Sequence, residues 1–191
     1  MSNDCCCSNI KKALIIVDMQ NDFCPGGSLA VGGGDKIISA INKYITQFAA
    51  KDEFVVFTRD WHPVDHCSFK EHGGMWPAHC VAETKGAEFH KDICIPKNAF
   101  MVSKADTADK DAYSGFDGTQ LDAHLKSLNI KEVWVCGLAT DYCVASTVND
   151  ALKLRYKVKL LADAIAAVDV NAGDGEKAIA RMKSAGAEIC R

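Results

Sequence analysis

The amino-acid sequence predicts an α/β fold in three layers, in which helices cover both faces of a central, mostly parallel sheet of about six strands. Two observations predict this fold: short apolar runs rich in β-branched residues recur along the chain, and segments of helical periodicity separate them. In addition, 48% of the 191 residues are apolar, which suffices for the core of one globular domain. We therefore expect a single domain over residues 12–191, preceded by a flexible leader over residues 1–11.

The strands are predicted from apolar runs that are too short for helices. In chain order these runs are ALIIV (13–17), FVVFT (54–58), FMV (100–102), EVWVCG (132–137), KVKLL (157–161) and the shorter AEIC (187–190). The helices are predicted from apolar residues that recur three and four positions apart. They occupy residues 37–48, 121–128, 141–155 and 174–185. The last helix should end at Gly186, because glycine readily takes the left-handed conformation that closes a helix.

One segment, residues 59–98, interrupts this alternation and is called the excursion below. It has little periodicity, yet it contains five of the six histidines and two of the three tryptophans. Loops of this length in compact domains usually serve a function. We therefore expect the excursion to contribute to a binding site.

Charge and hydropathy argue against two classes of partner. Lys and Arg number 22 against 25 Asp and Glu, which gives a formal charge of −3, and no basic stripe could neutralise a run of phosphates. No apolar stretch has the length of a secretory signal or the roughly 18 residues of a membrane span. We therefore expect a cytoplasmic protein that binds neither nucleic acid nor membrane, and a homo-oligomer stays an open alternative to a monomer.

The ten cysteines are expected to be reduced thiols, because disulfides are rare in intracellular proteins. Most of them are interpreted as small buried residues. Cys5, Cys6 and Cys7 differ because they lie in the polar leader. A disordered tail is the first interpretation of that leader, and acylation or metal capture by its thiols are the alternatives.

Polar residues follow the apolar runs at the predicted carboxyl ends of the strands, where open parallel sheets bind ligands. Asp18 follows the first run, Lys104 follows the third, and Cys143 lies shortly beyond the fourth. An acid, a lysine and a thiol suit an activated cysteine nucleophile: the lysine favours the thiolate, the carboxylate moves the proton, and a helix N-terminus adds partial positive charge. Each residue alone could be a turn residue, a surface charge or a packing residue, so only their joint placement indicates catalysis.

A second group of candidate residues lies on the excursion. Asp60 and His62 can face one ion from an extended segment, and His79 can complete a site of one carboxylate and two imidazoles. His66 is a further candidate ligand, directly or through water. This set suits one divalent cation, with Zn²⁺ ahead of Fe²⁺ and Mn²⁺. The competing interpretation is a loop with scattered surface histidines that bind no metal. If the metal site exists, we expect it to be separate from the catalytic residues.

These motifs together resemble those of the nicotinamidases of the isochorismatase-like cysteine hydrolase superfamily. The resemblance runs in order from about residue 13 to residue 170, through ALIIVDMQNDFCPGGSLAV, TRDWHPVDHCSF, MWPAHCV, AYSGF and VCGLATDYCVASTVNDAL. It implies an isochorismatase-like hydrolase fold. It also implies that the acid, lysine and thiol form a catalytic triad with Cys143 as the nucleophile, and that the carboxylate and two imidazoles bind the metal ion.

The resemblance further implies the substrate and its surroundings. Nicotinamide would be hydrolysed to nicotinate and ammonia through a cysteine thioester, as a step of NAD salvage, and pyrazinamide should also be accepted. A cis peptide bond is expected between Leu138 and Ala139, and the backbone amides of Ala139 and Cys143 would form the oxyanion hole. The ring pocket would be lined by Phe23, Trp76, Tyr113 and Tyr142.

Three other interpretations stay open. An amidohydrolase acting on an N-carbamoyl or ureido compound would use the same triad, but it would not need the metal segments. Isochorismatase itself hydrolyses a vinyl ether, and that reaction does not require the thiol of Cys143. A relative without catalytic activity could bind metal or a partner through its thiols, although the intact triad argues against it.

Overall fold

A parallel sheet of six strands forms the centre of the protein within residues 10–191, the part of the chain that the computed structural model describes. In chain order the strands are β1 (Lys12–Val17), β2 (Phe54–Asp60), β3 (Phe100–Lys104), β4 (Glu132–Leu138), β5 (Lys157–Ala166) and β6 (Glu188–Cys190). Their order across the sheet is β3-β2-β1-β4-β5-β6, and every neighbouring pair is parallel. The predicted sheet is confirmed.

Helices cover both faces of this sheet, as predicted. They are α1 (Ile38–Ala49), α2 (Leu121–Ser127), α3 (Ala145–Lys153) and α4 (Asp174–Ser184). Helix α1 packs on one face, whereas α2, α3 and α4 pack on the other. Residues 13–17 of the central strand β1 are fully buried and alternate between the two cores, because successive side chains of a strand point to opposite faces. No helix within the described range is both long and apolar enough to cross a membrane.

The third helix begins later than its periodicity predicts. The sequence predicts a helix over residues 141–155, whereas a wider π-helical turn, Thr140–Val144, precedes the regular helix α3. Such turns are frequent at functional sites, and this one carries Cys143. The last helix closes as predicted at Gly186, which has a positive φ of 115°.

Strands β2 and β3 are longer than their apolar runs. They extend to Asp60 and to Lys104, and the register of the two strands pairs these residues. The rest of the excursion connects the two strands with only short 3₁₀ turns, Lys70–His72 and Lys85–Ala87. The prediction of a long loop is confirmed, and the loop begins beside the candidate site residue Asp60.

The predicted leader falls almost entirely outside the described residues. Cys5, Cys6 and Cys7 lie there, so the leader over residues 1–11 and the roles considered for its thiols stay predictions. The cysteines within the described range, from Cys24 onward, all have free thiols, as expected.

Candidate active site

The carboxyl ends of neighbouring strands bring the predicted catalytic residues together. Asp18 directly follows β1, Lys104 ends β3, and Cys143 lies on the π-helical turn after β4. All three side chains are buried. Strand β4 approaches β1 closely because Gly137 has no side chain: a Cβ there would overlap the backbone of Val17.

The ammonium group of Lys104 connects the other two catalytic side chains. Its Nζ lies 3.0 Å from Asp18 Oδ2 and 3.5 Å from Cys143 Sγ. It also donates hydrogen bonds to Asp60 Oδ1 and, at 3.2 Å, to Ala112 O. Burial alone would lower the pKa of Lys104, but the two carboxylates outweigh it and raise this pKa well above its usual value. The amine therefore stays protonated.

Asp18 is positioned to accept a proton. Thr58 Oγ1 donates a hydrogen bond of 2.6 Å to Oδ1, while Oδ2 pairs with the ammonium of Lys104 at 3.0 Å. Burial raises the pKa of Asp18, and the charge of Asp60 adds to this effect against the opposing charge of Lys104. One carboxylate oxygen of Asp18 lies within 4.8 Å of Cys143 Sγ. Asp18 is therefore a suitable base for the thiol.

The surroundings of Cys143 favour its neutral thiol form over the thiolate. Burial raises its pKa well above the usual value, and the charges of Asp18 and Asp60 add to the increase. From the sequence, Lys104 is expected to favour the thiolate. Its charge does lower the pKa of Cys143, but burial and the two carboxylates outweigh it. The nucleophile therefore needs Asp18 to take its proton when it attacks.

Asp60, His62 and His79 form a buried cluster that can hold a metal ion. One carboxylate oxygen and one ring nitrogen of each histidine lie within 4.8 Å of one another. His62 Nδ1 is 2.9 Å from Ala105 O, and His79 Nδ1 is 2.8 Å from Pro77 O. These carbonyls assign the proton to Nδ1 and leave each Nε2 to bind an ion. The donor set fits a divalent cation.

The electrostatics of the cluster favour the forms that bind metal. Burial would raise the pKa of Asp60, but Lys104 and His62 outweigh it and hold this pKa below its usual range. Burial lowers the pKa of His79. Near neutral pH the cluster thus offers a carboxylate and, at His79, a neutral imidazole, which are the ligating forms.

His66 lies beside this cluster rather than in it. Its Nδ1 is 2.8 Å from Ser68 Oγ and its Nε2 is 3.2 Å from Lys110 O, so both ring nitrogens have protein partners. The ring stacks on that of His62, with centroids 4.1 Å apart. This geometry favours a packing role for His66 over direct coordination.

Asp60 belongs to both groups of residues. Its Oδ1 accepts the hydrogen bond from Lys104, and its Oδ2 faces His62 Nε2 at 3.6 Å. The expectation that the metal site is separate from the catalytic residues is therefore wrong. The two groups share this residue because the strand register pairs Asp60 of β2 with Lys104 of β3.

The shared carboxylate predicts different effects of two ligand substitutions on the nucleophile. In metal-free protein, Asp60→Ala removes one of the charges that raise the pKa of Cys143. Alkylation of Cys143 at neutral pH should then become faster, because a lower pKa increases the thiolate fraction. Timed reaction with iodoacetamide and mass spectrometry of the Cys143 peptide measure this rate.

His79→Ala is the matched control for this measurement. It also removes a candidate ligand, but His79 is not among the largest causes of the raised pKa of Cys143. Alkylation of Cys143 in this variant should proceed at the wild-type rate. If the two variants reacted equally fast, Asp60 would not connect the two groups.

A narrow pocket opens onto both groups. Members of both line it, namely Asp60, His62, His79 and Cys143, and Ala139 lies beside them. The four aromatic residues implied by the resemblance also line it: Phe23, Trp76, Tyr113 and Tyr142. Trp76 Nε1 donates a hydrogen bond of 3.0 Å to Tyr113 OH, and the rings of Trp76 and Tyr142 pack edge to face at 5.2 Å. The Leu138–Ala139 peptide bond is cis, as expected.

Gln20 is a positioning residue that the sequence patterns do not reveal. Its fully buried amide donates to Asp60 O (2.8 Å) and Ala87 O (2.9 Å) and accepts from Asp60 N (2.8 Å). It therefore fixes the backbone of a candidate ligand and attaches two distant parts of the excursion. One signal is present in the sequence: Gln20 follows a buried strand closely, and a buried amide requires partners.

Two carboxylates hold the loops around the pocket in a similar way. Asp22 Oδ2 accepts a hydrogen bond of 2.7 Å from Cys80 N on the excursion. The carboxylate of Asp141, on the π-helical turn, accepts bonds of 3.0 Å from Val168 N and 2.9 Å from Asp169 N. Val168 in turn lines the pocket. These partners are far apart in the sequence, so residue spacing could not indicate them.

Fold and site place the protein in a known class. The family model of the isochorismatase domain matches residues 12–191, and the chain belongs to this family. Among its relatives, the nicotinamidase/pyrazinamidase of Mycobacterium tuberculosis is 40% identical, with 93% of this chain and 97% of the relative covered.

Solved structures show the same likeness. The crystal structure of the pyrazinamidase of Pyrococcus horikoshii in complex with zinc is 50% identical, with a TM-score of 0.91 over 95% of this chain and 99% of that chain. The crystal structure of PnC1 from L. infantum in complex with nicotinate is 39% identical, with a TM-score of 0.88 over 95% of this chain and 92% of that chain.

Proposed function

We propose that the protein is a nicotinamidase, an amidohydrolase that converts nicotinamide to nicotinate and ammonia as a salvage step towards NAD, and that it also accepts pyrazinamide. The observation that carries the proposal is that the metal-binding cluster and the nucleophile of the triad, Cys143, face one aromatic pocket. A flat heteroaromatic amide can direct its ring nitrogen to the cluster and its carboxamide to Cys143. The likeness to enzymes that carry these activities in their names supports the proposal.

The pocket residues orient the substrate before the reaction. Phe23 and Trp76 offer apolar contact to the ring, and correct orientation of reacting groups is itself worth several kcal/mol of the barrier. Asp60, His62 and His79 would hold a divalent cation, with Zn²⁺ ahead of Fe²⁺ or Mn²⁺, which would supply a Lewis acid for the ring nitrogen. The carboxamide carbon is then held against Sγ.

The first half of the reaction forms the thioester. Asp18 Oδ2 takes the thiol proton while Sγ bonds to the carboxamide carbon, and Lys104 stabilises the developing thiolate. The oxygen becomes an oxyanion, which the backbone amides of Ala139 and Cys143 stabilise. The C–N bond then breaks, Asp18 returns its proton to the nitrogen, and ammonia leaves.

The second half releases the acid. Asp18, again a carboxylate, takes a proton from a water molecule that attacks the thioester carbon. The C–S bond breaks, Cys143 recovers its proton from Asp18, and nicotinate leaves. Asp18 therefore carries one proton in each half of the cycle, which its closeness to Cys143 Sγ, within 4.8 Å, and its raised pKa suit.

The setting of the enzyme is part of the same proposal. Residues 12–191 would form one hydrolase domain behind the leader of residues 1–11, which the range of the family match supports. The protein would work in the cytoplasm on a small molecule, without nucleic acid or membrane as partner. Both a monomer and a homo-oligomer are compatible with a pocket whose lining residues belong to one chain.

Ammonia release from metal-replete protein tests the proposal. Nicotinamide and pyrazinamide should both release ammonia, whereas an N-carbamoyl amino acid should release none. Elemental analysis of the same preparation should find a divalent metal, and chelation should reduce hydrolysis. Faster hydrolysis of the N-carbamoyl compound, or full activity after chelation, would favour the carbamoyl-type amidohydrolase instead.

A further inference from the structure

A second group of potential metal ligands lies beside the candidate metal site. One carboxylate oxygen each of Asp18 and Asp60 and the Sγ of Cys143 lie within 4.8 Å of one another, and all three side chains are buried. Asp18 Oδ2 is a fully buried ligand atom whose partner is the ammonium of Lys104, at 3.0 Å. Two carboxylates and a thiolate are a donor set that thiophilic divalent cations bind.

The ammonium of Lys104 already occupies this group. Its Nζ lies 3.0 Å from Asp18 Oδ2, donates to Asp60 Oδ1 and lies 3.5 Å from Cys143 Sγ. Ala112 O, at 3.2 Å, is a further acceptor. We propose that Lys104 acts as the built-in cation of this second site and thereby keeps divalent metal ions away from the nucleophile.

The need for such exclusion follows from the shared carboxylate. Asp60 belongs to both donor sets, so an ion bound by His62 and His79 has the thiol-containing set directly beside it. A sulfur atom bonded to Zn²⁺ is a metal ligand, and its lone pair is no longer available to attack a carboxamide. This role is distinct from stabilisation of the thiolate during catalysis and does not depend on the identity of the substrate.

The buried charge of Lys104 can enforce the exclusion. The side chain is 1% exposed and its ammonium contacts two carboxylates, so expelling it would leave both without their partner. A divalent cation entering beside it would meet a like charge in a poorly solvated site. Without Nζ, the two carboxylates would lack their cation and an entering divalent ion would meet no like charge. The second site should then bind metal.

Cadmium binding to Lys104 variants tests the proposal. Lys104→Ala should bind one more Cd²⁺ than the wild type, with a new thiolate-to-cadmium absorption band. The new band would report on Cys143, because the neighbouring cluster contains no thiol and the other nine of the ten cysteines are the same in both proteins. The double variant Lys104→Ala/Cys143→Ser is the matched control, and it should lose both the additional ion and the band.

A second variant and a second measurement keep the test decisive if Lys104→Ala folds poorly. Lys104→Gln retains a hydrogen-bonding side chain without the charge, and it should also gain the additional ion. In addition, Cd²⁺ should raise the Tm of either variant more than it raises the Tm of the wild type. In the wild type, excess Cd²⁺ should not slow alkylation of Cys143. Protection of wild-type Cys143 by Cd²⁺, or no additional ion in either folded variant, would overturn the proposal.

Discussion

Cys143→Ala should lower kcat for nicotinamide by about 10³-fold or more, as the loss of a covalent nucleophile does in other hydrolases. The reason is that Sγ of Cys143 is the thiol in contact with Lys104 and close to Asp18, and an alanine cannot form the thioester. Metal content should not change, because Cys143 is not part of the cluster of Asp60, His62 and His79. Ammonia release and elemental analysis of one preparation measure both quantities.

Cys136→Ala is the matched control for the nucleophile. Cys136 is also fully buried and lies on β4, but it belongs to the core cluster on the α1 side of the sheet. Its replacement should affect stability while leaving kcat near the wild-type value. Turnover of the Cys143→Ala variant near that of the wild type would refute the assignment of the nucleophile.

Benzamide should be a poorer substrate than nicotinamide by about 10²–10³ in kcat/KM, or roughly 3–4 kcal/mol at 1.36 kcal/mol per decade. Benzamide has the same carboxamide on a ring of similar shape, so contact with Phe23 and Trp76 should be preserved. It lacks the ring nitrogen, and a site built around a polar partner discriminates against an analogue without it. Water can fill the vacated metal position, which limits the penalty.

The His79→Ala variant separates this effect from general damage to the pocket. Loss of a candidate ligand should slow nicotinamide hydrolysis more than benzamide hydrolysis, so the ratio of the two kcat/KM values should fall towards one. The measurement compares both substrates on metal-replete wild type and on the variant. A wild-type ratio within about tenfold would show that the ring nitrogen is not recognised through the metal site.

The sequence predicts much of this site because catalytic residues follow strands. Asp18, Lys104 and Cys143 each come after an apolar run, and parallel strands bring their carboxyl ends to one edge. Neither the strand order nor the register can be derived from these runs. The contact between Asp60 and Lys104 depends on both, which explains why the metal site and the triad were expected to be separate.

Buried polar side chains are the second part that the sequence does not reveal. Thr58 lies within an apolar run and reads as a strand residue, whereas its hydroxyl donates to Asp18. Gln20 has no periodic pattern around it, whereas its amide binds both the backbone N–H and the backbone C=O of Asp60. Such roles depend on partners 40 residues away, and local patterns carry no information about them.

The attachment of the excursion by Gln20 has a consequence for how this chain can diverge. Gln20 holds the loop at Asp60 and Ala87, while Lys70–His72 and Gly73 between these points are exposed. Lengthening a closed loop is inexpensive, since each doubling costs only about 0.6 kcal/mol of closure entropy. Insertions at this tip would thus leave the attached ends in place. The excursion can therefore vary in length during evolution, or accept a grafted peptide at this tip, without displacing the candidate metal ligand Asp60 where it begins.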